Sequence, residues 1–226
     1  MNRPTLVCCS HGTASSAGRD VVTRIAQRAA ELVEAPLAET YVDVQYPQVD
    51  EVVAGLDGPG VIVPLLLSPG FHTRVDIGRA ARLRDDVTAT STLGPHPLLV
   101  DVLAERVTAE RIGDDDHVIL AAAGSSRPEA IARIDDTRVA LAERLRIPVT
   151  AGYAYGASPT VAEAIARART AGARRVIVAS YVLAPGHFAN LIATAGADVA
   201  TDPVGTDPRV AEIVAERYRA ALAVDV

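Results

Sequence analysis

Tryptophan is missing from this chain, phenylalanine occurs only as Phe71 and Phe188, and there are six tyrosines. Ala, Val, Leu and Ile must therefore supply the core, a mixture that suits buried parallel strands covered by Ala-rich helices. Long apolar runs are missing too. The longest near the start, LVCC after MNRPT, is too short for a signal-peptide core and far too short to span a bilayer; the expectation is a cytoplasmic protein with no membrane partner. Cysteine is scarce, and the two present, Cys8 and Cys9, are adjacent. In a strand they point to opposite faces and cannot form an ordinary disulfide with each other, which fits a reducing compartment and a role as small buried hydrophobes. An excess of basic residues is also lacking: 22 Lys and Arg face 28 Asp and Glu, a net charge of −6. That charge offers no general field to nucleic acid, so any anionic ligand needs local basic residues. Against these absences, 49% hydrophobic and 22% charged residues place the chain with core-forming globular proteins and outside the disordered class.

The chain repeats itself. Residues 6–13 (LVCCSHGT) return 112 positions later as 118–125 (VILAAAGS), and 41–53 (YVDVQYPQVDEVV) return at the same shift as 153–165 (YAYGASPTVAEAI), with Tyr, Pro, Val and Glu in register. A shift of 115 pairs 60–72 (GVIVPLLLSPGFH) with 175–187 (RVIVASYVLAPGH), and one of 111 pairs 93–107 with 204–218. Each half reads as strand, helix, strand, helix, strand, loop, short strand, helix. In the first half the strands are expected at 5–9, 37–44, 60–66 and 88–91, alternating with segments of helical period such as 18–33. The fold class is therefore α/β: two similar lobes, each a parallel sheet flanked by helices. The GDDD run near 113–116 divides the chain into lobes 1–112 and 113–226, with no low-complexity linker, and lobes so joined are expected to face each other across a cleft.

In open parallel sheets, functional groups lie just beyond the carboxyl ends of strands. His11 follows the first strand, Asp43 ends the second and His72 follows the third, so two imidazoles and a carboxylate are expected at one sheet edge. That donor set suits borderline divalent metals, and neutral imidazoles also accept protons. The repeat supplies a control, because His11 maps to Ala123 and Asp43 to Tyr155; the metal site is placed in the first lobe. His187 lies opposite His72 at a shift of 115, whereas aligning the Pro-Gly pairs puts Phe188 there. Arg74 and Arg127 are candidates for substrate carboxylates, and Asp76 for fixing its loop, the alternative for Arg74 and Asp76 being a mutual surface ion pair. His96, between prolines, reads as a helix-entry residue.

The segments SHGT, YVDVQYPQV and PLLLSPGFHTRVDI, with LGPHPLL as a further match, resemble the sirohydrochlorin chelatase family, and the resemblance runs through both halves. It implies a class II chelatase fold of two similar lobes and an enzyme that inserts Co2+ or Fe2+ into sirohydrochlorin in sirohaem or cobalamin biosynthesis, with no nucleotide required. By the same resemblance the family's metal-site histidines fall on His11 and His72, and its acidic residue, usually Glu, on Asp43. Some relatives carry a His-rich or iron–sulfur-binding tail; this chain ends at LAVDV, so no iron–sulfur cluster is expected. A duplicated chain is expected to work as a monomer. A non-catalytic metal or tetrapyrrole carrier would use the same residues, and GSS at 124–126, at a helix start, leaves a phosphate-binding α/β protein as a third reading.

Overall fold

A computed structural model of the protein describes residues 3–70 and 73–223, the side chains of Thr73 and Arg74 excepted. The first sheet holds β1 (Thr5–Ser10), β2 (Leu37–Tyr41), β3 (Gly60–Pro64) and β4 (Val87–Ala89), all parallel, in the order β2-β1-β3-β4. The second holds β5 (Asp116–Ala122), β6 (Val149–Tyr153), β7 (Arg175–Tyr181) and β8 (Val199–Ala200), parallel in the order β6-β5-β7-β8. Both central strands are covered on both faces. Leu6, Val7, Cys8 and Cys9 are at most 2% exposed, as are residues Val118 to Ala122, which is why these strands read as continuous apolar runs without alternation.

The strand order dictates where the helices lie. From β1 the chain moves outward to β2, then returns past β1 to β3, and right-handed crossovers in opposite directions require helices on opposite faces. The first crossover is α1 (Ser16–Val33). Ser15 caps it, its hydroxyl accepting the Gly18 N–H at 3.2 Å; Ile25, Ala26, Ala29 and Val33 bury one stripe, and Glu34 in the left-handed region ends it two residues before Pro36. On the other face α2 (Val49–Ala54), a π-helical turn (Thr73–Ile77) and α3 (Gly78–Ala81) set Val49, Val53, Ile77 and Ala80 against Val7, Cys9 and Ile62. In the second sheet α5 (Pro128–Leu145) follows β5, while α6 (Val161–Thr170) and α7 (His187–Ala193) form the apolar cluster of Val161, Ile165 and Ile192 with Ile119 and Val178.

The segment between β3 and β4, expected as a loop, is thus partly helical. It escapes sequence reading because a π turn breaks the 3.6-residue period and α3 is one turn long.

Packing divides the chain into one compact unit of Met1–Leu93 with Thr206–Val226 and another of Gly94–Gly205. The helix α4 (Pro97–Ala109) packs on α5 and β7, and α8 (Pro208–Ala223) packs on α1 and β3. Each repeat therefore gives its last helix to the other unit. In the first unit the Tyr218 hydroxyl donates to the Pro4 carbonyl at 2.6 Å and Arg219 to the Leu32 carbonyl at 2.6 Å. In the second, Arg106 donates to the Asp202 and Val204 carbonyls at 2.8 and 2.7 Å, and Arg144 pairs with Asp101 at 2.9 Å. The 112/113 division marks where the sequence repeats; the packing changes partner at 93/94 and again at 205/206. Hydrophobic period shows that a helix buries a face, not which sheet it buries it on. Among the described residues no helix is long and apolar enough to cross a membrane.

Candidate metal site

In the first unit β1 and β3 are neighbours whose onward connections run to opposite faces, so a crevice opens between their carboxyl ends, the usual ligand position in open α/β sheets. His11 is the residue immediately after β1. The ladder between β1 and β2 continues past the strand ends: the Val42 N–H donates to the Ser10 carbonyl and the Asp43 N–H to the His11 carbonyl, both at 3.1 Å. His11 and Asp43 are thereby set side by side on the sheet edge. His11 is half-buried, with Nδ1 3.4 Å from the Gly12 carbonyl oxygen, and Asp43 is exposed.

The turn that allows this approach depends on Gly12. Its φ is +91°, and a Cβ there would lie 2.2 Å from the Asp43 carbonyl oxygen. One further bond ties the two loops together and a second tightens the loop after β2. The Thr13 N–H donates to Gln45 Oε1 at 2.8 Å, and the Asp43 carbonyl accepts the Gln45 N–H at 2.6 Å. The Asp43 carboxylate is oriented by its own turn, Oδ1 accepting the Val44 N–H at 2.8 Å. Val44 sits at φ +59°, a left-handed conformation that costs a β-branched residue about 1–3 kcal/mol.

The second unit repeats the scaffold without the donors. Gly124 has φ +88° and a Cβ there would lie 2.0 Å from the Tyr155 carbonyl; the Tyr155 N–H donates to the Ala123 carbonyl at 2.9 Å. Ser125 Oγ accepts the Arg127 N–H at 3.1 Å, as Thr13 Oγ1 accepts the Ser15 N–H at 3.1 Å. The strained Val44 corresponds to Gly156, at φ +69°. GSS is therefore the repeat copy of the loop after β1, its first serine engaged in the turn. The sequence control holds at the level of backbone: the same edge carries His11 and Asp43 in one unit, Ala123 and Tyr155 in the other.

His72 lies outside the described residues, and so does the Arg74 side chain, although the Arg74 backbone belongs to the π turn. Among the described residues no three His, Cys, Asp or Glu side chains gather as a metal cage; His11 and Asp43 are the two described members of the expected set. Arg127 is half-buried at the start of α5, and His187 is exposed at the start of α7, its ring 5.4 Å from that of Phe188. The ladders pair Leu6 with Val61 and Val118 with Ile177, and the Leu93 and Val204 N–H groups donate to the Leu66 and Val182 carbonyls. β3 and β7 therefore correspond at a shift of 116, the one that aligns the Pro-Gly pairs and sets Phe188 opposite His72 in the sequence, whereas the buried Ile77 and Ile192 further on correspond at 115. His96 is the helix-entry residue expected, Nδ1 accepting the Leu98 N–H at 3.2 Å before α4. A groove of about 720 Å3 in the second unit lies at the amino edge of its sheet around Arg111, Asp116 and Pro148 and contains none of the candidate residues.

Sequence reading passed over Gln45, whose amide joins the loops after β1 and β2. A signal existed, since Gln45 maps to Ala157 and the difference follows that of His11 and Asp43.

The family model CbiX matches the chain twice, over residues 5–110 and 117–221, in step with the repeat. Solved structures of similar fold include SirB from Bacillus subtilis with Fe3+, at a TM-score of 0.78 and 17% identity over 97% of this chain and 95% of that one. The sirohydrochlorin chelatase SirB from Bacillus subtilis subspecies spizizenii in complex with cobalt aligns at a TM-score of 0.74 and 17% identity, covering 97% and 94% of the two chains. CbiX, the terminal enzyme for biosynthesis of siroheme in denitrifying bacteria, aligns at 0.69 and 22% identity, covering 97% and 99%. No curated protein sequence matches the chain.

Proposed function

The chain belongs to the CbiX family, and from that premise we propose that it is a sirohydrochlorin chelatase, inserting Co2+ or Fe2+ into the tetrapyrrole in sirohaem or cobalamin biosynthesis. The observation that carries this reading is the edge of the first sheet, where the extended β1–β2 ladder sets His11 beside Asp43; His72 follows the end of β3 by eight residues in the sequence. The similar structures solved with Fe3+ and in complex with cobalt support a metal substrate of this kind.

The chemistry asked of the residues is modest and balanced. The metal ion enters, two pyrrole N–H protons leave, and the ring nitrogens replace protein and water as ligands. His11, His72 and Asp43 act as the metal-holding set, which releases the ion because imidazole and carboxylate are moderate ligands next to a four-nitrogen ring. Imidazole accepts a pyrrole proton as its metal leaves. Holding ion and ring at one edge replaces a bimolecular encounter, with no call for a nucleotide or an iron–sulfur cluster. Arg74, Arg127 and His187 serve as contacts for the substrate's carboxylates. The reading places the reaction in the cytoplasm, with a single chain as the working unit, and gives the protein neither nucleic acid nor membrane as partner.

The test is anaerobic metallation of sirohydrochlorin followed by absorbance, with Co2+ and Fe2+ offered separately. Acceleration by the protein that is lost in a His11→Ala, His72→Ala double variant is the expected result. Binding of the ring with no acceleration by either metal would replace this reading with a carrier.

A further inference from the structure

We infer that Arg79 is a positioning residue for metal insertion, clamping the π-helical turn that follows His72 against α2. Its guanidinium Nη2 is 2.6 Å from Asp50 Oδ2 on α2 and 3.8 Å from Asp76 Oδ1 in the π turn. One cation thus spans two carboxylates on two elements. The other oxygen of Asp50, Oδ1, is buried without a hydrogen-bond partner, so the compensation of this carboxylate rests on Arg79. The Asp76 side chain is only 19% exposed. Removing the guanidinium would leave the buried Asp50 oxygen without its compensating charge, which would favour parting α2 from the π turn.

The clamp acts where the site needs it. Asp76 stands four residues after His72 in the chain. Ile77, 1% exposed, and Ala80, fully buried, fix the apolar side of the same segment against Val49 and Val53. Apolar packing holds the segment down, while the directional ion pairs set the rotation of the π turn.

The repeat shows that the fold itself does not require the clamp. Asp50 maps to Ala162, Asp76 to Leu191 and Arg79 to Thr194, and α7 is still seated on its sheet by the fully buried Ile192. The ionic group occurs in the unit that carries the metal donors and is absent from its copy. Groups that orient metal ligands are worth about 10–100-fold in affinity or activity.

The inference rests on the chelatase reading, and the experiment separates the two. The full chain and its Arg79→Met, Arg79→Lys and Asp50→Asn variants are titrated with Co2+ by visible absorption, then assayed for insertion and thermal unfolding. Arg79→Met is expected to weaken Co2+ binding about 10-fold, to raise KM for the metal while leaving KM for the ring unchanged, and to shift the Tm little. Arg79→Lys keeps the charge and is expected to restore most of the affinity. Asp50→Asn breaks the same pair from the other side and gives the same pattern, so the clamp is still tested if Arg79→Met does not fold. Wild-type Co2+ affinity and spectrum in both Arg79→Met and Asp50→Asn would overturn the clamp alone. A wild-type protein that neither binds Co2+ nor accelerates insertion would overturn the chelatase reading and the clamp with it.

Discussion

Replacing Gly12 by Ala adds one methyl group, and the structure states where it goes. The new Cβ would lie 2.2 Å from the Asp43 carbonyl oxygen, 3.2 Å from the Asp43 carbonyl carbon and 3.2 Å from the Gln45 nitrogen. All three are backbone atoms, so no side chain can swing aside. The residue must also keep φ near +91°, which costs an L-residue about 1–2 kcal/mol, and relieving the overlap costs about 1–3 kcal/mol more. A loss of about 2–5 kcal/mol takes a large share of a typical 5–15 kcal/mol of stability and lowers the Tm by about 4–20 °C in a chain of this size. Gly124→Ala is the matched control, since its Cβ would meet the Tyr155 carbonyl at 2.0 Å. Thermal unfolding followed by circular dichroism is expected to show comparable losses for the two variants. Metallation measured well below both transitions is expected to fall strongly only for Gly12→Ala, which pushes His11 and Asp43 apart. A Gly12→Ala protein with an unchanged Tm, or metal insertion equally impaired in both variants, would refute this reasoning.

Truncation after residue 205 should unfold the first unit, because Val210, Ile213, Val214 and Tyr218 of α8 are fully buried there and four such side chains contribute about 6–12 kcal/mol. Hydrogen exchange is expected to show β1 and β3 losing protection while β5 and β7 keep theirs; the reverse would mean that α8 belongs with its own repeat. At the amino edge of the second sheet, a hydrogen bond from Arg175 at 2.6 Å, with the Gly113 N–H at 2.8 Å, holds the Asp116 carboxyl below the usual carboxylate range. With the folded value below the unfolded one, that stabilisation is present above pH about 4 and fades as pH falls through the folded value. Asp116→Asn is therefore expected to lower the Tm at pH 7, and the gap to wild type to close at lower pH; a gap independent of pH would contradict this. Burial pushes the Cys9 thiol up to about 12 and raises Cys8 as well, so neither is expected to react with a thiol reagent at pH 8 until the protein unfolds.

The sequence makes the repeated scaffold legible because a buried parallel strand and an Ala-rich helix leave strong local patterns. β1 and α1, expected at 5–9 and 18–33, form as Thr5–Ser10 and Ser16–Val33. The second strand, expected at 37–44, ends as a regular strand at Tyr41, yet Val42 and Asp43 continue to pair with β1, so reading it as long correctly placed the carboxylate beside His11. What was not legible depends on contacts distant in sequence. Nothing local to α4 or α8 says that the two helices change units. Asp50 reads as an ordinary acidic residue in the first turn of a helix, and Arg79 as a surface charge; only the packing of α2 against α3 joins them. The repeat carries a further signal: His11, Asp43, Gln45 and Asp50 stand in the first copy where the second has Ala123, Tyr155, Ala157 and Ala162.

On the proposed reading, metal is handled at the carboxyl edge of the first sheet and not at its copy in the second. Steady-state insertion of Co2+ into sirohydrochlorin, compared between wild type, His11→Ala and His187→Ala, tests it most directly. His11→Ala is expected to lose kcat by at least about 100-fold, the range for removing a proton-accepting group, while His187→Ala keeps kcat and raises KM for the ring. Wild-type kcat in His11→Ala, or a loss of kcat confined to His187→Ala, would contradict the claim.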